Sequence, residues 1–225
     1  MAAVIVPDTH REGLAAAVAK IKEEFSIPPR VALHWSDHCK TFPRRQYVAN
    51  VLAGVDGVKL NYVVFEKAAI PQKATILTDG VRFYNYTAGI ALERILLTAA
   101  AFPGEDRRVQ VQYGHVRGFD HEKTLEYLWK KRGQKSLVDW SLLVGDPTFV
   151  DASRNSGLQA ADQYAGMLRS AICPDKHGGY EEAHFLRVAH QMRRHPETGR
   201  AWGYGLKVMA RDDAFQSLPW WTGKK

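Results

Sequence analysis

Apolar positions recur along this chain in two rhythms. Ala2 to Val6 is a short apolar run that predicts a strand. Leu14, Val18, Ile21 and Phe25 then recur at helical spacing and predict a helix over 9–25. Thr9-x-x-Glu12 is a capping-box pattern at its start, and Pro28-Pro29 ends it. Val31 to Trp35 predicts a short strand. Pro43 suits the first turn of the next helix, whose stripe is Tyr47, Val48, Val51 and Leu52 and whose stop is Gly54. Val58 to Phe65, β-branched and aromatic, predicts a strand. Ala88, Leu92, Ile95 and Leu96 mark a helix over 83–100.

Further along, Val109, Val111 and Tyr113 alternate with polar residues and predict a strand. Asp120 can cap a helix over 121–132 that Gly133 closes, and Ser136 to Leu143 predicts another strand. Phe149 to Ser153 forms a turn into a helix with a second capping-box pattern, Ser156-x-x-Gln159. Its apolar stripe is Leu158, Ala161, Ala165, Leu168 and Ile172, and its small residues permit close approach to a sheet. A helix over 180–194 and a strand over Trp202 to Met209 follow. The tail over 210–225, with Trp220-Trp221, has no clear period and is expected to be peripheral. Strands alternating with helices, without repeat or linker, predict one α/β domain over 1–225: a mixed sheet flanked by helices.

Composition adds little beyond this until charge is considered. The chain has 225 residues, 45% of them hydrophobic and 24% charged, as an ordinary globular domain has. No apolar run approaches a membrane span, and the N-terminus lacks the basic region of a signal peptide. Cys39 and Cys173 form no ligand-spaced pair, which predicts cytoplasmic thiols. The net charge of +7 is different in kind, because a basic surface attracts polyanions. Basic residues cluster at Lys40/Arg44/Arg45, Arg107/Arg108, Lys130/Lys131/Arg132/Lys135 and Arg193/Arg194. Those at 130–132 also suit a helix C-terminus.

Candidate chemistry falls in three places. Asp162 borders the inward stripe of its helix, and a buried carboxylate needs a metal or a partner. Asp151 lies in the preceding turn, near enough in sequence to approach it. His34, Asp37, His38 and Cys39 contain ligand types, and a helix would put both histidines on one face for zinc; a strand leading into a loop would not. His115, Asp120, His121 and Glu122 follow a strand end, either as substitute ligands or as a loop and a helix cap. No Gly-x-Gly-x-x-Gly, Walker loop or Gly-x-Ser-x-Gly is present, so nucleotide-cofactor enzymes and serine hydrolases have no support.

Two stretches carry a resemblance. Gly157 to Arg169 contains Leu158-Gln159-Ala160-Ala161-Asp162-Gln163-Tyr164-Ala165-Gly166. Leu33-His34-Trp35-Ser36-Asp37 precedes basic Arg44/Arg45 and the later Val63-Val64-Phe65-Glu66-Lys67. Together they resemble the bacterial and phage family called domain of unknown function 3800. The resemblance implies a ribonuclease H-like fold, a phage or mobile-element setting, and a site in which carboxylates hold Mg²⁺ or Mn²⁺. On that basis Asp162, Asp37 and Asp151 are the expected catalytic residues, and Asp162, Asp37 and His34 the expected metal ligands. Arg44, Arg45, Lys130, Lys131 and Arg169 are the expected nucleic-acid contacts. The family's opening strand with Asp-Glu-Ser-Gly has no counterpart here, and Ala32, Gln112 and Tyr113 stand where carboxylates are expected. The acidic site is therefore expected to be incomplete. The expected role is a degenerate nuclease relative that binds nucleic acid, with two alternatives: an active metal-dependent nuclease, or an interaction protein. In the last, an open sheet edge would recruit a second copy or another protein.

Overall fold

The computed structural model describes residues 1–70, 79–104 and 106–209, together with Phe215, Leu218 and Trp220. The rest of the tail expected to be peripheral lies outside the described residues. The chain is a mixed α/β protein, and no described helix is long and apolar enough to cross a membrane.

Strand β2 (Lys59–Phe65) is the centre of a three-stranded sheet. It pairs antiparallel with β1 (Ala2–Ile5) and parallel with β5 (Leu206–Met209). Side-chain alternation sorts β2 between two helical layers. Leu60 and Tyr62 point into a core built with α1 (Arg11–Glu24), α3 (Phe42–Ala53), α6 (Ser156–Ile172) and α7 (Ala183–Val188). Val63 points instead at Ile90 and Ala91 of α4 (Gly80–Ala99), and the buried Asn61 donates to Thr98 Oγ1 at 2.8 Å on the same side. Strand β1 obeys the same rule: Ala2 and Val4 face the first layer, Ala3 and Ile5 the second. Each fully buried leucine contributes about 2 kcal/mol of transfer free energy. Gly205 permits the crossing beside β2, because a Cβ there would stand 2.5 Å from the Arg193 carbonyl oxygen.

A second, two-stranded parallel sheet joins β3 (Gln112–Gly114) to β4 (Thr148–Val150). It lies between the same layers. Tyr113 donates its hydroxyl to Ala88 O in α4 at 3.0 Å, and α6 packs against both β1 and β3. Ile5 shares an apolar cluster with Val111 and Tyr113. Helix α5 (His121–Arg132) covers α4, starting at the expected Asp120 cap and ending at Gly133.

The hydrogen-bond phase of both sheets shows which edges stay open. Met1 and Val63 exchange two backbone bonds, so the ladder uses Ala3 and Ile5 next and turns Ala2 and Val4 away from β2. In the parallel pair, Val111 O and His115 N bond toward β4, which turns Gln112 and Gly114 away from it. Among the described residues none of these four outward backbone units has a partner. Both open edges belong to strands that pack against α6. On α6, Leu158, Ala161 and Ala165 are only partly buried and belong to none of the apolar clusters. The expected stripe therefore splits, since Leu168 and Ile172 join the core as predicted.

Several expectations about elements are corrected. Residues 31–34 form no strand; Trp35 opens the short helix α2 (Trp35–His38) instead. The backbone of Leu33 is satisfied by side chains: its N–H donates to Gln159 Oε1 at 2.9 Å and its carbonyl accepts from Gln163 Nε2 at 3.2 Å. Residues 136–143 form no strand either, because Asp139 caps a 3-10 turn at Trp140–Leu142. Neither capping box closes. His10 precedes α1 without a side-chain cap, and Asn155, not Ser156, caps α6. Phe149 belongs to β4 rather than to a turn. The helix over 180–194 is cut to α7 and a 3-10 turn, where Gln191 bonds Leu52 O, Val55 O and Tyr164 OH. Trp220 packs onto the body, donating to Ala171 O at 2.6 Å.

Gly166 sets the distance between α2 and α6, since a Cβ there would lie 2.1 Å from Trp35 Cγ. Gly166→Ala is expected to destabilise the protein by about 2–3 kcal/mol through overpacking. Gly13→Ala, whose Cβ meets nothing within 4 Å, should be neutral or stabilising by up to about 1 kcal/mol. Urea unfolding of both variants measures the contrast.

Candidate functional site

Asp162 lies on α6 beside the start of α2. Its Oδ2 accepts the Trp35 backbone N–H at 2.7 Å, and His34 Nδ1 stands 3.8 Å away. Both side chains are nearly half exposed, 47% for His34 and 45% for Asp162, so the expectation of a buried carboxylate is not met. The amide bond arises from spacing. Gln159, Asp162 and Gln163 share one face of α6, and together they hold Leu33 N, Leu33 O and Trp35 N. Asp162 thus supplies an acceptor to an amide that opens a helix, as a capping carboxylate does.

The other expected acids go elsewhere. Asp37 is exposed and accepts from Ser36 Oγ at 3.0 Å. Asp151 caps the 3-10 turn at Ala152–Arg154, accepting from Ser153 N at 2.8 Å. That backbone bond, with the Ser153 hydroxyl, Arg154 and His115, holds its carboxyl below the usual range. His34 and His38 do come close, but His38 Nδ1 accepts the His34 N–H at 3.0 Å, so that nitrogen closes α2. Cys39 donates its thiol to Gln163 Oε1, and burial pushes that thiol up to about 12, far from a nucleophile at neutral pH. No described group of three or more His, Cys, Asp or Glu side chains is placed to share a metal ion.

His115 and His121 make a ring-to-ring contact at 2.8 Å, and His121 stacks on Phe149 with centroids 4.0 Å apart. Burial is the first cause that lowers the His121 pKa, the neighbouring His115 the second. Asp120 between them is the cap of α5, bonded to Glu122 N and Lys123 N.

The expected nucleic-acid contacts divide between the two helical layers. Lys130 and Lys131 lie on α5, outside α4, while Arg44 and Arg45 lie on α3 and Arg169 on α6. Lys131 pairs with Glu93 at 3.0 Å. Arg45 pairs with Glu181, donates to Cys39 O and covers the Trp35 ring. Arg44 stacks over Phe25 and donates to His38 O. Lys130 and Arg169 are exposed.

A different basic group converges in space. A cleft of about 350 Å³ is lined by Arg11, Gln112, Val150, Asp151, Arg154 and Asn155. A neighbouring cleft of about 600 Å³ shares Asp151 and Arg154 and adds Pro29, Arg30 and Ser153. The three arginines are exposed, and among the described residues none has a carboxylate within ion-pair distance. Sequence reasoning missed them because each stands alone in its segment: a helix start, the loop after Pro28-Pro29, and a turn.

Comparison with known proteins adds nothing to this geometry: no family model, curated protein or solved structure matches the chain.

Asp162→Ala leaves the Trp35 amide without its acceptor and is expected to cost about 1–2 kcal/mol. Asp162→Asn keeps an acceptor oxygen and should cost less than half as much. Denaturant midpoints of the two variants test whether the carboxylate is a folding element; equal losses would count against that role.

Proposed function

We propose that this protein is a ribonuclease H-like scaffold that binds nucleic acid without cutting it. One observation carries the reading. The expected acids have other work: Asp162 holds the Trp35 amide, Asp151 the Ser153 amide and Asp37 the Ser36 hydroxyl. A two-metal mechanism needs carboxylates gathered around ions about 4 Å apart. Mg²⁺ or Mn²⁺ chemistry would call on Asp162, Asp37 and His34, and among the described residues no group of three such side chains is placed to share an ion. The ribonuclease H-like assignment draws on the antiparallel pair β1–β2, the parallel pair β3–β4 and helices on both sheet faces. Binding draws on the net charge of +7.

Labelled RNA, DNA and hybrid, incubated with Mg²⁺, Mn²⁺ or EDTA, should stay intact, while fluorescence anisotropy should show binding that weakens steeply with salt. Metal-dependent cleavage that Asp162→Asn abolishes would overturn the reading.

A second reading is favoured by the open edges of β1 and β3. The outward amides and carbonyls at Ala2, Val4, Gln112 and Gly114 match an added strand, and Leu158, Ala161 and Ala165 of the adjoining α6 are only partly buried. In this reading a strand of a second copy pairs with the open edge of β1. Light scattering would then show an oligomer, and Val4→Pro, which removes an outward N–H without touching the β1–β2 ladder, would return it to monomer. A monomeric wild type would sink the self-pairing reading.

A further inference from the structure

The two clefts beside Asp151 gather three arginines that, like Arg117, Arg169, Arg187 and Arg200, hold no side-chain hydrogen bond or ion pair among the described residues; what sets the three apart is that they line adjoining clefts. Arg107, Arg194 and Arg44 spend their guanidinium groups on backbone carbonyls, and Arg45, Arg82 and Arg108 on carboxylates. Arg11, Arg30 and Arg154 have no such bonds among the described residues. They come from three separate segments: the first turn of α1, the loop after it, and the 3-10 turn that leads into α6. The fold brings them to two concave surfaces that share a wall.

We propose that these adjoining clefts bind the phosphodiester backbone of a nucleic acid, with Arg11 in one cleft, Arg30 in the other and Arg154 in both. This localisation rests on the nucleic-acid reading above and names its surface. Guanidinium groups present forked donors that match phosphate oxygens, and a free one has no ion pair to break first. Three guanidinium groups face one carboxylate, Asp151, whose oxygen is already engaged by the Ser153 amide. The side chains of Gln112 and Asn155 bond each other at the rim of the smaller cleft and supply neutral polar contacts there. Guanidinium contacts of this kind go to phosphate oxygens and position a strand without reading its sequence.

The test compares three proteins by fluorescence anisotropy on labelled single-stranded and duplex RNA and DNA across a salt series. They are the wild type, the triple variant Arg11→Gln/Arg30→Gln/Arg154→Gln, and a charge-matched control at exposed positions outside the clefts, Lys176→Gln/Arg187→Gln/Arg200→Gln. The side chains of these arginines hold no described hydrogen bond, so the circular dichroism and thermal midpoint of the cleft variant should match the wild type. The cleft variant is expected to lose at least tenfold in affinity near 0.1 M salt. Its slope of log affinity against log salt should fall by about 2–3 relative to the wild type. The control should lose much less. Equal losses in the two variants would mean a general charge effect, and the localisation would fall. A wild type that binds while the cleft variant binds equally well would overturn the localisation alone. A wild type that binds no polymer would overturn both the localisation and the reading beneath it.

Discussion

The grip that α6 takes on residues 33–39 holds one face of this protein together. Gln159, Asp162 and Gln163 give the Leu33 and Trp35 backbone the partners that a neighbouring strand would otherwise give. A buried backbone group left unmatched costs about 1–3 kcal/mol, so these side chains decide whether the segment can be interior at all. They succeed: Leu33 is fully buried without lying in a sheet. Gln163 also takes the Cys39 thiol, and Gly166 seats the Trp35 ring against the helix. A second tie comes from Arg45, which covers that ring, bonds Cys39 O and pairs with Glu181 ahead of α7. His184 of α7 closes the circle, buried against Phe42 and Trp35 and 3.3 Å from Glu181.

The same grip limits what Asp162 can do chemically. An oxygen that holds an amide in a helix cap is not freely placed around a metal, and around it stand the Trp35 N–H at 2.7 Å, the Gln163 amide nitrogen at 3.4 Å and His34 at 3.8 Å. Gln159, Asp162, Gln163 and Gly166 all contact the stretch 33–39. The two stretches that carry the resemblance are thus in contact with each other, and folding alone gives four of their residues a reason to be there.

How much of this was legible in the sequence follows from what each element depends on. Helices α3, α4, α5 and α6 and strands β1 and β2 were readable because burial on a regular period shaped them. The cap at Asp120 was readable because it is local. Residues 31–35 looked like a strand because they are apolar, yet their partners are side chains more than a hundred positions away. Nothing local separates that case from a true strand. Thr9-x-x-Glu12 and Ser156-x-x-Gln159 failed for a related reason: the pattern fits, but the chain reaches the helix one residue off. For the candidate site, residue types guided the choice of acids, whereas the converging arginines depend on the meeting of three segments that only the fold supplies.

The two proposed binding modes differ in the force behind them, so conditions that favour one do not favour the other. Strand addition at the open edges would exchange water bonds on outward backbone groups such as those of Ala2, Val4, Gln112 and Gly114 for ladder bonds, each about 0.5–1.5 kcal/mol net. Any apolar surface covered with them would supply a term that salt does not screen. Polyanion binding at the arginine clefts would draw instead on counterion release, which salt cancels. Gln112 belongs to both surfaces: its outward backbone lies on the open edge of β3 and its side chain lines the smaller cleft. A strand seated against β3 would fix the Gln112 backbone and, through the Gln112–Asn155 bond, the start of α6. Arg154 sits one residue before that cap, so order gained at the β3 edge would reach the cleft through two adjacent residues.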